Sequence, residues 1–307
     1  MTASNNTKLS LGPIQYYWDR DSVFDFYKKI AETPVDIVYL GETVCSKRRL
    51  MRDEDWLEIA AQLKQAGKEV VLSTLTLIEA NSELSKLKSI CKNKDYAIEA
   101  NDMAAVNLLA GEQTFITGPA INIYNSRSLN VFAKQGVKRW VFPVELSSET
   151  LADILEQAPE GIETEVFAYG RLPLAFSARC FTARSRNLQK DDCQLSCIDD
   201  PDGLLMKTRE DDPFLVINGI QTQSAKSCNL INDLEEMKKI GVDILRISPQ
   251  SKSTVEIINI FHDCLHDKKS SQEASEQLES LSPTGTCNGY WHGGAGMESV
   301  NQYLNEK

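Results

Sequence analysis

Asp36-Ile37-Val38-Tyr39-Leu40-Gly41-Glu42-Thr43-Val44-Cys45 is an apolar run that stops on a glycine and a polar turn. Apolar residues in unbroken succession mark a strand of a parallel sheet whose two faces are both covered by helices, where a half-exposed antiparallel strand would alternate. The chain on either side keeps the same rhythm. Upstream, residues 9–11 form a short apolar strand, and 18–30 carry Val23, Phe24, Phe26, Tyr27 and Ile30 at helical spacing. Downstream, 53–66 reads as a helix closed by Gly67, 69–72 as a strand and 78–90 as a helix.

The alternation continues through strands at 97–100, 113–117, 137–142 and 164–168, with helices at 102–109, 128–135 and 147–157 between them. Strands at 214–218 and 243–247 follow, with a helix at 230–240. Roughly eight strands alternating with helices across short turns predict an α/β fold, a TIM-like (β/α) barrel, in a single domain over residues 1–307. An open nucleotide-binding sheet would carry a glycine-rich first turn, and Leu11-Gly12-Pro13-Ile14 lacks that fingerprint. The repeat is interrupted at 172–212, a stretch about twice the usual strand-to-helix loop. It is expected to form a cysteine-bearing insertion at the C-terminal mouth.

That insertion holds Cys180, Cys193 and Cys197, three of the chain's eight cysteines, among Arg179, Arg184, Arg186, Lys190, Asp191 and Asp192. Clustered thiols in a charged loop point to metal, and a thiolate site usually wants four ligands. Barrel sites lie at the C-terminal ends of strands, so Cys45, just past the second strand, faces the same mouth and supplies the fourth. Cys45, Cys180, Cys193 and Cys197 suit zinc or an iron-sulfur cluster. One close pair plus two dispersed thiols leans toward the cluster. Cys91, Cys228, Cys264 and Cys287 stand singly and read as small buried hydrophobes. His262 and His266 share a helical face with no acidic partner, which fits a surface or capping role. The segment 288–296, with Tyr290, Trp291, His292 and four glycines, reads equally as a pocket closure or a packed tail.

A formal net charge of -11 argues against a general nucleic-acid or anionic-membrane binder. Residues 1–8 lack the apolar core of a signal peptide, and no uncharged apolar run is long enough to span a membrane, so the chain is expected to be cytoplasmic. There is no Gly-x-Ser-x-Gly elbow, no His-Glu-x-x-His and no phosphate loop, and only three histidines to serve as general bases.

Glu165-Val166-Phe167-Ala168-Tyr169-Gly170, followed by Ala178-Arg179-Cys180, resembles the signature region of the collagenase-like peptidase family. The stretches 38–49, 178–185, Asn218-Gly219-Ile220-Gln221-Thr222 and Arg246-Ile247-Ser248-Pro249 narrow the resemblance to the members of that family that serve ubiquinone biosynthesis. It implies a 4Fe-4S cluster on Cys45, Cys180, Cys193 and Cys197, and a heterodimer with a sister member of the family. It further implies oxygen-independent hydroxylation of a prenylated quinone precursor, prephenate as the oxygen source, and a lipid-binding carrier protein. On that reading Lys47, Arg48, Arg49, Arg179 and Arg184 either stabilise an anionic co-substrate or form salt bridges with neighbouring acids. The alternative is a non-catalytic scaffold whose metal site only holds the long loop. A peptidase is disfavoured, because no hydrolytic constellation is present.

Overall fold

The computed structural model describes residues 7–300, so most of the polar N-terminal stretch, residues 1–6, lies outside the described residues. In chain order the elements are β1 (Lys8–Leu11), α1 (Arg20–Ala31), β2 (Ile37–Leu40), α2 (Asp53–Gln65), β3 (Glu69–Ser73), α3 (Asn81–Cys91), β4 (Ala97–Ala100) and α4 (Met103–Leu109). There follow β5 (Phe115–Thr117), α5 (Ser126–Lys134), β6 (Val137–Val141), α6 (Ser148–Leu155), β7 (Glu163–Phe176), α7 (Phe181–Ser185), β8 (Leu204–Lys207), β9 (Pro213–Asn218) and β10 (Gln221–Asn229). The chain ends with α8 (Leu234–Ile240), β11 (Ile244–Ile247), α9 (Thr254–Leu265), α10 (Ser271–Leu281) and β12 (Thr286–Cys287).

β1 to β7 pair in sequence order, all parallel, and β11 pairs in parallel with both β7 and β1. Eight strands therefore close into a barrel with helices outside. Local chemistry sets the helix starts: Asp19, Asp102, Asn125, Ser147 and Ser270 each accept a hydrogen bond from a first-turn amide of α1, α4, α5, α6 and α10. On α1 the buried face is Val23, Tyr27 and Ile30, each worth about 1.5–3 kcal/mol of transfer free energy when fully covered.

All four residues of β2 are buried, and they divide by alternation. Val38 and Leu40 pack outward with the helices, whereas Ile37 and Tyr39 join Val71, Ile116, Val141 and Ile244 inside the barrel. The helix-covered parallel strand read from this stretch is thus what the chain builds.

Two expectations need correction. The strand expected at 164–168 runs on to Phe176, so the first residues past the barrel are still strand. Residues 214–218 are a strand, β9, but outside the barrel: β7, β10, β9 and β8 pair antiparallel in that order as an arm above the mouth. The physical reason is the length of β7, whose outer half finds an antiparallel partner in β10 instead of turning into a helix. Strands β8, β10 and β12 and helices α7 and α10 are additions to the sequence reading, and α9 is the helix whose face was read at His262 and His266.

Gly170 marks the place where β7 leaves the barrel. Its φ is +127°, and a Cβ there would lie 2.6 Å from Cβ of Ser248. Gly170→Ala is expected to lose about 2 kcal/mol through backbone strain and overlap, visible as a lowered melting temperature.

Candidate functional site at the barrel mouth

Two constellations meet at the C-terminal end of the barrel. The first is a polar network inside it. At the closed end Arg139 Nη2 lies 2.7 Å from Glu163 and 3.0 Å from Glu69, while its Nη1 donates to the Tyr39 hydroxyl at 3.3 Å. Tyr39 donates to Glu165, which also accepts from Ser10 and, at 2.8 Å, from Arg246 Nε. Arg246 Nη1 reaches Glu99 at 2.8 Å, and Glu99 accepts further from Ser73 at 2.7 Å and Asn101 at 3.1 Å. The Arg246 guanidinium also lies 4.0 Å from the centroid of the Tyr39 ring. Burial would raise the Glu165 carboxyl, but Arg246 and Arg139 hold it below the usual carboxylate range. Burial pushes the Tyr39 phenol up, so it acts as a donor.

Glu99 and Arg246 reach the floor of a cavity of about 510 Å³ at the mouth. Its walls include Pro13, Phe167, Phe176 and Tyr290. The segment 288–296 does both things expected of it: Tyr290 lines the cavity, while Trp291 is buried and donates to Glu236 at 2.8 Å.

The second constellation is the thiol group. Glu42 accepts from the amides of Val44 and Cys45 at 2.8 and 3.0 Å, pinning the turn that follows β2 and carries Cys45. Cys180 caps α7, with the Ala183 amide 3.4 Å from its sulfur. Cys193 and Cys197 flank a turn in which Gln194 and Leu195 hold φ of 50° and 52°, a left-handed pair that side chains rarely adopt. All four thiols are free and half-buried. Burial pushes the Cys45 and Cys197 thiols up, while Arg48 pulls against the shift in both. Lys47 feels the charges of both Cys193 and Cys45. Among the described residues, no three His, Cys, Asp or Glu side chains are gathered tightly enough to hold one metal ion.

The residues considered for an anionic co-substrate divide by burial. Arg48 is buried and committed: it donates to the Gln15 carbonyl at 2.6 Å and to Asn218 at 2.7 Å, and lies 3.7 Å from Glu42. Lys47 binds the Lys190 carbonyl and Asp191, and Arg49 the Ser46 carbonyl. Arg179 and Arg184 are exposed. The salt-bridge reading therefore holds for Lys47 and Arg48. Gln15 links the cavity to the turn after β2, because it lines the cavity while its carbonyl is held by Arg48, three residues past Cys45.

The remaining cysteines, 91, 228, 264 and 287, are buried as expected. His266 accepts its place at the end of α9 through a 2.8 Å contact with the His262 carbonyl, a capping role. Sequence reasoning passed over Glu99, Arg139 and the role of Arg246. The available signal was a single charge at an inward position of an otherwise apolar strand, as in Ile244-Leu245-Arg246-Ile247.

No helix among the described residues is long and apolar enough to cross a membrane. The chain is 28% identical over 192 residues to the tRNA hydroxylation protein P of Helicobacter pylori strain J99, covering 55% of this chain and 43% of that protein. It is 24% identical over 200 residues to the tRNA hydroxylation protein P1 of Bacillus subtilis strain 168, covering 58% and 45%. The chain thus spans less than half the length of these curated relatives. A solved structure described as the U32 peptidase Mk0906 aligns with a TM-score of 0.46 and 12% identity over 81% of this chain and 96% of that one. The model of peptidase family U32 matches residues 23–301, and the chain belongs to that family.

Proposed function

We propose that this chain is the iron-sulfur subunit of an oxygen-independent ring hydroxylase of ubiquinone biosynthesis, as its resemblance to UbiV implies, working as a heterodimer with the sister protein UbiU. The observation that supports the reading is the meeting of the segments that carry Cys45, Cys180 and Cys193: Lys47 binds Asp191 and the Lys190 carbonyl, and Gly219, which accepts from the Phe181 amide, lies against Val44 and Arg48.

The donor set fits the proposed group. Four thiolates are the donor set of a 4Fe-4S cluster, as they are of a structural zinc site. A 4Fe-4S cluster would place each thiolate on its own iron. The buried Arg48 and the nearby Lys47 supply positive charge against the thiolates. When bound, such a cluster supplies one-electron chemistry. The chain's own part is to hold the ring in the cavity, keep water from the buried floor through the arm and Tyr290, and fix the Glu99 and Arg246 side chains.

Hydroxylation is also the activity in the relatives' names, which supports the reaction class. Their substrate is not carried over, because a net charge of -11 opposes the phosphate neutralisation that RNA binding requires. Prephenate as oxygen source and a lipid-binding carrier for the prenylated precursor belong to the same proposal. Protein purified without oxygen is expected to be brown and to contain about four irons and four acid-labile sulfides per chain. A protein replete with zinc and free of sulfide would overturn the cluster.

A further inference from the structure

The arm above the mouth ends in an open edge. Its strands run β7, β10, β9, β8, and among the described residues β8 pairs with β9 alone, so one side of its backbone presents N–H and C=O groups to no strand. Sheets blunt such an edge with charge, proline or a covering element. β8 reads Leu204-Leu205-Met206-Lys207, with its one charge at the far end and drawn to Asp211 at 3.0 Å. Leu205 and Met206 are successive residues of a strand and point to opposite faces, yet they are 36% and 39% exposed. The end of the arm is therefore bare along its edge and on both faces. Six of the eleven exposed large apolar side chains among the described residues fall within 174–214, on the arm and the loop beside it. Apolar exposure gathered in this way marks a protein–protein site.

Charge decides what covers it. The turn past β8, residues 208–212, is exposed throughout and sets Glu210, Asp211 and Asp212 against Arg209. At the other end of β8 stand Asp199, Asp200 and Asp202, with Arg186 bound to the first two. Acid is in excess at both ends of the strand. A second copy of this chain laid antiparallel on β8 would bring the acidic turn of each copy against the acidic start of the other, and a parallel copy would bring like end against like end. Like charges brought together across an interface cost affinity. An extended segment with an apolar centre and Lys or Arg at both ends satisfies the edge, the faces and the ends together.

We infer that β8 is the surface on which the sister subunit docks, adding to the arm an extended apolar strand flanked by basic residues. The added strand continues the sheet whose inner strand, β7, lines the cavity through Pro173, Leu174 and Phe176. The inference rests on the heterodimer of the proposed function and assigns the surface that forms it, independently of the cluster.

The test titrates the whole chain with purified UbiU and follows pairing by analytical ultracentrifugation. Met206→Lys places a charge on the bare edge and is expected to weaken pairing at least about tenfold, about 1.4 kcal/mol. Asp212→Lys reverses one acid of the exposed turn, and is expected to weaken pairing by less while flattening its dependence on salt. Val131→Lys, at a 55% exposed apolar position on α5, is expected to pair as the native chain does. All three positions are exposed, so circular dichroism is expected to stay unchanged. Native affinity in Met206→Lys, an equal loss in Val131→Lys, or a salt dependence unmoved by Asp212→Lys would each overturn the inference and leave the heterodimer standing. Absence of pairing by the native chain would overturn both and leave the iron and sulfide measurements standing. A dimer of this chain alone that Met206→Lys dissolves would overturn the inference in favour of a second copy.

Discussion

Arg246→Met is expected to lower the free energy of unfolding by about 3–5 kcal/mol, because removing one partner strands the other charges in a dry interior. Glu165 and Glu99 side chains are 0% and 1% exposed, so water cannot replace the lost guanidinium. The Met side chain fills much of the same volume and removes packing loss as the explanation. A shift of the urea midpoint at unchanged slope is the measurement, and a loss below about 1 kcal/mol would show that the network is held by its other members. The same change at Arg139 is expected to cost less, since Glu69 and Glu163 are each 35% exposed and can rehydrate.

The pH dependence follows with a definite sign. Glu165 has its folded pKa depressed below the unfolded value. Its contribution is therefore present above the ordinary carboxylate range and is lost as pH falls through the folded value. In Arg246→Met the remaining buried carboxylates favour protonation, so acidification relieves the variant while it weakens the native protein. The difference between the two is expected to narrow as pH falls, and a constant gap would exclude charge as its cause.

The barrel was legible because its strands are short, apolar and punctuated, and because covered parallel strands differ in pattern from half-exposed ones. The arm was not. Residues 221–229 read Gln-Thr-Gln-Ser-Ala-Lys-Ser-Cys-Asn, yet Gln221, Gln223, Ser224 and Ser227 are buried. They are buried by hydrogen bonding, Gln221 and Gln223 to the Gln15 side chain at 3.1 and 2.7 Å, so hydrophobic periodicity carries no trace of them. Helix α10 hid for a related reason: only Ala274 and Leu278 of its residues are buried, too few to make a stripe. The network from Arg139 to Glu99 is faint in the sequence because one charge in a short strand leaves its apolar pattern intact, and only alternation against Ile37, Tyr39 and Ile244 points these side chains into the barrel.

If the proposed function holds, Cys193→Ala is expected to lose the cluster and, in cells grown without oxygen, the quinone product, with iron per chain falling by more than about tenfold. Removing a direct ligand exceeds the tenfold to hundredfold typical of an outer-shell change. The result is informative because the loop that carries Cys193 has other anchors. Arg186 binds Asp199 and Asp200 at 3.0 and 2.7 Å, Lys47 binds the Lys190 carbonyl at 2.7 Å, and Trp18 donates to the Pro201 carbonyl at 2.6 Å. None of these involves a thiol, so the arm is expected to stay folded and to keep its pairing with the sister subunit. Cys91→Ala, which removes a buried thiol far from the mouth, is the matched control and is expected to keep iron and product. Lost product with retained pairing assigns the cluster to chemistry or electron transfer. Normal product with retained pairing would make the chain a scaffold, and the reaction would then belong to its partner.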